Sequence, residues 1–121
     1  MAINIDMNEL IPVPNYRGYK ANRKGQIWSD FFGGRFLKQQ HQIKGYVQVT
    51  LVSDEGKRSS IGIHRVIAKT FLPNPNNLPQ VHHLNGIKDD NNVFNLAWVT
   101  KEYNIQERWE RNRKKKQNER I

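Results

Sequence analysis

Residues 80–105 read QVHHLNGIKDDNNVFNLAWVTKEYNI, and this stretch decides the predicted fold of the second half of the chain. The run at 81–84 predicts a short strand, and Asn85-Gly86, directly after it, favours a turn. Residues 95–99 predict a second short strand, and Thr100 is suited to cap the N-terminus of a following helix. We therefore predict a β-loop-β-α unit.

Four polar residues of this unit have the chemistry that a metal-assisted phosphodiesterase needs. His83 is the predicted general base, because an imidazole with a pKa near neutral can take a proton from water. His82 and Asn104 are the predicted metal ligands, one an imidazole nitrogen and the other an amide oxygen. Asn95 is placed in the catalytic group as the residue that orients the loop and the His83 backbone through amide hydrogen bonds.

Strand geometry sets a condition on this site. Neighbouring side chains on a regular strand point to opposite faces, so His82 and His83 would diverge. We therefore expect the strand to end or bend at the histidines, which the following Asn85-Gly86 permits.

The sequence VHHLNGIKDDNNVFNLAWVTKEYNI, preceded by IHRVIAKTFLPNPNNLPQ, resembles the HNH (ββα-metal) endonucleases. The resemblance is to the phage- and intron-encoded homing endonucleases of that group, and it is strongest from His64 onward. It implies that His82 is the first metal ligand, where Asp or Asn is more frequent in the family, and that His83 is the general base. It also implies that Asn95 is the central asparagine and Asn104 the second ligand.

The predicted cofactor is a divalent metal ion. Two protein ligands leave much of the coordination sphere to water and phosphate, which favours Mg²⁺. An imidazole ligand also suits Mn²⁺ or Zn²⁺, so these two ions stay as alternatives.

The composition predicts a polyanionic partner. The chain has 121 residues, with 20 Lys and Arg against 11 Asp and Glu, and a formal charge of +9. Double-stranded DNA is preferred over a membrane because no long apolar segment is present. The absence of cysteine excludes disulfides, thiolate nucleophiles and Cys-based zinc sites. No secretory signal is recognised in residues 1–10, so we expect a cytoplasmic location, in the host if the gene is phage-encoded.

The order of patterns along the chain predicts an α+β fold. A hairpin at 16–29, strands at 35–40 and 45–53, and a returning strand at 58–63 together predict an antiparallel β-meander. A helix is predicted over 64–71, followed by an irregular spacer over 72–79. The predicted organisation is an N-terminal β-rich module (1–62), a helix with the nuclease unit (63–110) and a basic tail (111–121), forming one compact unit.

Several residues have an ordinary structural interpretation that we prefer. Asp89 and Asp90 are assigned to turn chemistry rather than to metal binding. His64 is either hydrogen-bonded inside the fold or in contact with phosphate, and the first is favoured. The three tryptophans are assigned to packing, namely Trp28, Trp98 and Trp109.

The basic end of the chain predicts a nonspecific DNA clamp. It holds five positive charges in the six residues 111–116 without an apolar partner, so we expect its helix to fray into solvent. Contacts of Lys and Arg to phosphate give affinity without sequence information. The predicted DNA-binding residues are Arg108, Arg111, Arg113, Lys114, Lys115 and Lys116.

The leading hypothesis is thus a metal-dependent DNA endonuclease of the HNH homing type that nicks or cuts duplex DNA. One site per chain makes nicking the default for a monomer, and a monomer or weak dimer is expected. Two alternatives stay open. One is a DNA-binding module whose ββα unit is inactive, and the other is a low-specificity nuclease that acts on single strands or RNA.

Overall fold

The computed structural model describes the backbone of residues 5–118 and the side chains of residues 5–113. This part of the chain has an α+β fold of antiparallel sheets with two α-helices, which confirms the predicted class. Its strands are β1 (Ile11–Pro12), β2 (Tyr19–Ala21), β3 (Ile27–Ser29), β4 (Arg35–Phe36), β5 (Gln40–His41), β6 (Val47–Val52), β7 (Arg58–Gly62), β8 (Gln80–His83) and β9 (Leu96–Val99). Its helices are α1 (Ile63–Phe71) and α2 (Lys101–Asn118).

The first sheet contains β1 to β4 in chain order. The predicted hairpin is confirmed, because β2 and β3 pair antiparallel across a turn at residues 22–25. The buried Asn22 side chain accepts hydrogen bonds from the backbone N–H groups of Lys24 and Gln26, at 3.2 and 3.0 Å. Gly25 closes the turn with φ of +96°, a conformation that glycine adopts without steric cost.

The strands β5 to β7 form a second sheet, so the predicted antiparallel meander is present but is divided between two sheets. The predicted strand 35–40 is wrong as a single strand. Arg35 and Phe36 pair with β3, whereas Gln40 and His41 pair with β6. The chain crosses from one sheet to the other between these pairs, and local alternation carries no information about which strand a residue will pair with. The predicted hairpin over 45–63 is confirmed by the pairing of β6 with β7.

Helix α1 confirms the predicted helix and contributes to the core. Ile63, Val66 and Ile67 are fully buried in a cluster with apolar residues of both sheets and of the strands that follow. This cluster includes Ala21 and Leu96, and so joins residues on both sides of the predicted module boundary at 62/63. The spacer that follows α1 is irregular as predicted, with the Asn74 side chain bonded to both backbone groups of Leu78.

The strands β8 and β9 pair antiparallel in the register His82 to Ala97 and His83 to Leu96. Thr100 caps α2 as predicted, because its Oγ1 accepts a hydrogen bond from the Tyr103 N–H at 3.1 Å. These elements confirm the β-loop-β-α unit. The expected fraying of the basic end is not seen in the backbone, which stays helical through Asn118.

The predicted packing of the tryptophans holds for two of the three. Trp98 is half-buried and donates its indole N–H to the Leu72 carbonyl at 3.1 Å, and Trp28 packs edge-on against Phe36. Trp109 is 74% exposed, so its assignment to the core is wrong. It lies on a part of α2 that extends past the core cluster. Over residues 5–118, no helix is long and apolar enough to cross a membrane.

Candidate active site

His82 and His83 are the last two residues of β8, and both are buried. The strand ends after them, as expected, in a turn at residues 84–86 where Gly86 has a φ of +75°. Their side chains alternate, so that His82 contacts α2 while His83 contacts α1. Both nevertheless line one cavity of about 100 Å³ at this end of the strand, together with Asn104.

The predicted metal ligands His82 and Asn104 are brought together by β8 and the first turn of α2. His82 Nδ1 and Asn104 Oδ1 lie 3.1 Å apart. The Asn104 Nδ2 group donates to Gln80 Oε1 at 2.9 Å, which turns the amide so that its oxygen faces the histidine. The Tyr103 ring packs edge-on against His82, with ring centroids 5.6 Å apart. The orientation of both predicted ligands is therefore fixed by contacts within the protein.

This pair fits a divalent cation. The 3.1 Å between His82 Nδ1 and Asn104 Oδ1 is a hydrogen-bond distance in this structure, and an imidazole nitrogen and an amide oxygen are both groups that bind divalent ions. No group of three or more His, Cys, Asp or Glu residues is placed to hold a metal in the part of the chain that the structure describes. The ion would therefore be held by one imidazole and one amide, with water and substrate oxygens completing its shell.

His83, the predicted base, is held by an asparagine. Its Nε2 lies 2.9 Å from Asn91 Oδ1, and both residues are buried, with exposed fractions of 6% and 4%. The amide oxygen accepts a hydrogen bond from Nε2–H, which leaves Nδ1 as the nitrogen able to accept a proton. Burial lowers the pKa of His83, an effect larger than the opposing hydrogen bond to Asn91. The imidazole is therefore neutral, as a base must be.

His64 packs against the other side of His83. Its ring lies 5.2 Å from the His83 ring and 5.4 Å from the Tyr46 ring, measured between centroids. Its Nδ1 is buried and has no hydrogen-bond partner among the described residues, so the preferred interpretation of a hydrogen-bonded histidine is wrong. Burial, with smaller effects from His83 and Arg65, lowers its pKa to about 4. His64 is therefore a neutral ring packed beside His83.

Asn95 holds the turn that follows the histidines. Its Oδ1 accepts from the Asn85 N–H at 3.0 Å, and its Nδ2 donates to Asn85 Oδ1 and the Asp90 carbonyl, both at 2.9 Å. Its backbone carbonyl accepts from the Leu84 N–H at 2.8 Å. The residue thus bonds to the chain directly after His83 and makes no hydrogen bond to His83 itself. Asp90 also accepts from Asn85, in keeping with turn chemistry.

The predicted DNA-binding arginines have three different environments. Arg108 and Arg111 line the cavity that holds the two histidines. Arg111 also donates to the carbonyls of Leu84 and Asn85, at 2.7 and 3.1 Å. Arg113 is exposed and forms an ion pair with Glu110 at 2.9 Å. The side chains of Lys114, Lys115 and Lys116 lie outside the described residues.

Comparisons with known proteins match a segment of the chain to a family of nucleases. Residues 62–106 match the family model described as HNH endonuclease. An uncharacterized HNH endonuclease, L245 of Acanthamoeba polyphaga mimivirus, is 34% identical over 95 residues, which are 78% of this chain and 28% of that protein. The DNA endonuclease I-HmuI of Bacillus phage SP01 is 31% identical over 100 residues, which are 82% of this chain and 56% of that protein.

The fold agrees with these sequence matches. A solved structure titled as DNA binding and cleavage by the HNH homing endonuclease I-HmuI matches 93% of this chain and 67% of that chain. The TM-score is 0.74 and the sequence identity is 29%. This chain carries an HNH endonuclease segment at residues 62–106 and is similar over most of its length to HNH endonucleases. It spans between 28% and 56% of the length of these curated relatives.

The matched HNH segment contains the four residues predicted for the site, and the structure adds others that sequence reasoning missed. Gln80 orients Asn104, and the alternation of a strand already places it on the same face as His82, two residues later. Asn91 holds His83, but in the sequence it is one of several loop asparagines. Arg111 was expected only to contact DNA, and its bonds to the turn after β8 have no local sequence signal.

Proposed function

We propose that this chain is a metal-dependent endonuclease that hydrolyses phosphodiester bonds of duplex DNA, and that a monomer nicks one strand. The observation that carries the proposal is the pairing of a buried, neutral His83 with the adjacent His82 and Asn104 in one cavity. Metal-assisted hydrolysis of a phosphodiester requires a general base close to the residues that hold the metal ion.

His83 is the proposed general base. Its Nδ1 takes a proton from a water molecule, the water oxygen forms a bond to phosphorus, and the bond from phosphorus to the leaving sugar oxygen breaks. Asn91 keeps the proton of the neutral ring on Nε2 at the start of this step, so that Nδ1 has its lone pair free. The lowered pKa of His83 keeps it unprotonated at neutral pH.

His82 and Asn104 would hold a divalent ion, and Mg²⁺ is our proposal because the pair leaves most of the shell to oxygen ligands. The bound ion supplies positive charge that polarises the phosphate and stabilises the leaving oxygen. Gln80 keeps the Asn104 oxygen turned toward His82. Mn²⁺ and Zn²⁺ are the ions to compare, because imidazole is a good ligand for both.

Charge supports DNA as the substrate. The chain has a formal charge of +9, and Lys88, Arg108 and Arg111 line the cavity beside the histidines. Cations at a site raise the local concentration of a polyanion and bind its phosphates. The relative I-HmuI is named as a DNA endonuclease. We propose a cytoplasmic site of action, which is the host cytoplasm if the gene is phage-encoded.

The test is incubation of purified protein with supercoiled plasmid in Mg²⁺, Mn²⁺, Zn²⁺ or chelator. Relaxed circles that form with a metal and not with chelator are expected. Linear product without a relaxed intermediate would contradict nicking. Plasmid that is bound but untouched with all three metals would overturn catalysis in favour of a DNA-binding module. Cleavage confined to single-stranded DNA or RNA in parallel reactions would overturn the choice of duplex DNA.

A further inference from the structure

Arg111 is fixed at the wall of the catalytic cavity by the protein backbone. Its two terminal nitrogens donate to the carbonyls of Leu84 and Asn85, in the turn directly after His83. Gly86 lies under the guanidinium, and a Cβ built there would lie only 2.8 Å from Arg111 Cζ. Glycine at this position therefore makes room for the arginine as well as for the turn.

The anchored guanidinium keeps its full positive charge. Its two partners are neutral carbonyls, and none of the ion pairs among the described side chains involves Arg111. A guanidinium has five N–H donors, of which two are used here. Within the part of the chain that the structure describes, the remaining N–H donors of Arg111 are therefore free to bind a substrate, and Arg111 lines the same cavity as His82 and His83. Arg113 differs, because the Glu110 carboxylate already compensates its charge.

Helix α2 connects this cation to the metal pair. Arg111 follows Asn104 by seven residues, which is close to two turns, so both side chains leave the same face of the helix. The helix holds Asn104 against β8, and Arg111 bonds to the turn that ends β8. The distance between the Arg111 guanidinium and the proposed metal ligands is therefore set by the helix α2 and the strand β8.

We propose that Arg111 is a catalytic residue that contacts the phosphate being cleaved and stabilises the negative charge that develops on it. This inference rests on the proposed function and corrects the assignment of Arg111 to a nonspecific clamp. A cation that is held in position before substrate arrives stabilises a transition state without reorganisation. Arg111 therefore acts on the rate of cleavage of bound DNA, whereas a peripheral clamp acts on affinity.

The test compares Arg111→Gln with Arg113→Gln, which removes a charge from the same helix two residues later. Glutamine at 111 keeps an N–H donor for one carbonyl but loses the charge. For Arg111→Gln we expect a fall of about 10²-fold in the single-turnover rate at saturating DNA, with affinity in chelator changed less than about threefold. Arg113→Gln is expected to lower affinity more than rate. Arg111→Lys, which keeps the charge, should lie between wild type and Arg111→Gln in rate.

The outcomes separate this inference from the function on which it rests. A wild-type protein that cleaves no plasmid with any metal overturns both. Wild-type cleavage with Arg111→Gln and Arg113→Gln equal in rate and in affinity overturns the role of Arg111 alone. If circular dichroism shows that Arg111→Gln has lost helix, the role of Arg111 is tested with Arg111→Ala instead, by measuring its cleavage rate with and without added guanidinium ion. Rescue of the rate by guanidinium supports a catalytic charge, and failure of rescue in a folded Arg111→Ala protein contradicts it.

Discussion

Three histidines within one small region have different properties because their surroundings differ. His82 Nδ1 faces the Asn104 amide oxygen, where we propose a metal ion, while His83 is held at Nε2 by Asn91, which leaves Nδ1 for the proposed role of base. His64 has no partner for its buried Nδ1, and its low pKa keeps it uncharged beside His83. A second positive charge at that place would oppose protonation of the base during catalysis. The neutrality of His64 therefore favours the role proposed for His83.

Replacement of the base tests this assignment directly. We expect His83→Ala to lower the cleavage rate by more than about 10²-fold, because loss of a general base typically costs 10² to 10⁴. Binding to duplex DNA in chelator should stay within a few-fold of wild type, since phosphate contacts come from other residues. The control is His41→Ala, an exposed histidine on β5 outside the site. Equal loss of binding and cleavage in His83→Ala would contradict the role of base.

The environment of His64 predicts a dependence of stability on pH. Its pKa is about 4 in the folded protein and near 6.5 in the unfolded chain, so between these values only the unfolded chain binds the proton. The free energy of unfolding should therefore be unaffected by His64 above pH 6.5. It should fall as pH decreases toward 4, by up to about 1.4 kcal/mol for each pH unit.

Urea unfolding of wild type and His64→Phe at pH 7, 6 and 5 measures this effect. His83 is present in both proteins, so the difference between them reports on His64 and on its electrostatic effect on His83. The wild type should lose stability more steeply than the variant as pH falls. If the free energy of unfolding falls equally with pH in the two proteins, His64 is not held neutral in the folded state.

At the scale of elements, the site depends on a strand and a helix that meet. β8 supplies Gln80 and His82 on one face, and α2 brings Asn104 to them from its first turn. Thr100 fixes where that helix begins. A shift of the start of α2 by one residue would rotate Asn104 by about 100° away from His82. The contact between the proposed metal ligands His82 and Asn104 therefore depends on a correctly placed helix cap.

Replacement of either ligand should weaken metal binding. We expect His82→Ala and Asn104→Ala to need higher Mg²⁺ for cleavage and to bind metal more weakly in calorimetry of the DNA-free protein. Activity of Asn104→Ala should be partly recovered at high metal concentration, because water can replace one amide oxygen. Asn112→Ala, an exposed asparagine on the same helix, is the matched control. An unchanged metal requirement in both ligand variants would show that the pair is wrongly assigned.

Those elements that depend on neighbouring residues could be predicted from the sequence. The turn at Asn22 to Gly25 and the cap at Thr100 are local, because their hydrogen bonds join residues two to four positions apart. The split of residues 35–40 between two sheets was not predictable, since each half is decided by a distant partner strand. The same holds for Arg111, whose carbonyl partners lie 26 and 27 positions earlier in the chain.

At the scale of the whole molecule, the N-terminal sheet supports the site. The turn of the β2–β3 hairpin packs on the loop after β8, where a Cβ at Gly25 would lie 2.8 Å from the Asn91 carbonyl oxygen. The Arg23 carbonyl accepts a hydrogen bond from the Val93 N–H at 2.8 Å. Because Asn91 also holds His83, the first sheet positions the proposed base through one intermediate residue. The N-terminal half of the chain thus helps to hold the candidate site in place.

The basic end of the chain is expected to determine affinity rather than chemistry. Truncation after Arg113 keeps the proposed catalytic Arg111 and removes four cations against the single acid Glu119, the cations being Lys114, Lys115, Lys116 and Arg120. Loss of each phosphate contact should flatten the dependence of log affinity on log salt by about 0.9, so the slope should decrease by about 1 to 4. The weakening should be the same for all duplex sequences, because phosphate contacts carry no base information.

Affinities of the full-length and truncated proteins would be measured over a salt series on several duplexes of equal length. Since the core cluster ends at Leu96 and the cap at Thr100 stays in place, the truncated protein should keep its fold, which circular dichroism checks. The rate of cleavage at saturating DNA should be unchanged, in contrast to Arg111→Gln. An unchanged salt slope would show that these cations do not contact phosphate in the complex. A loss confined to one duplex would instead make this end of the chain a reader of sequence, because a phosphate clamp cannot distinguish duplexes of equal charge.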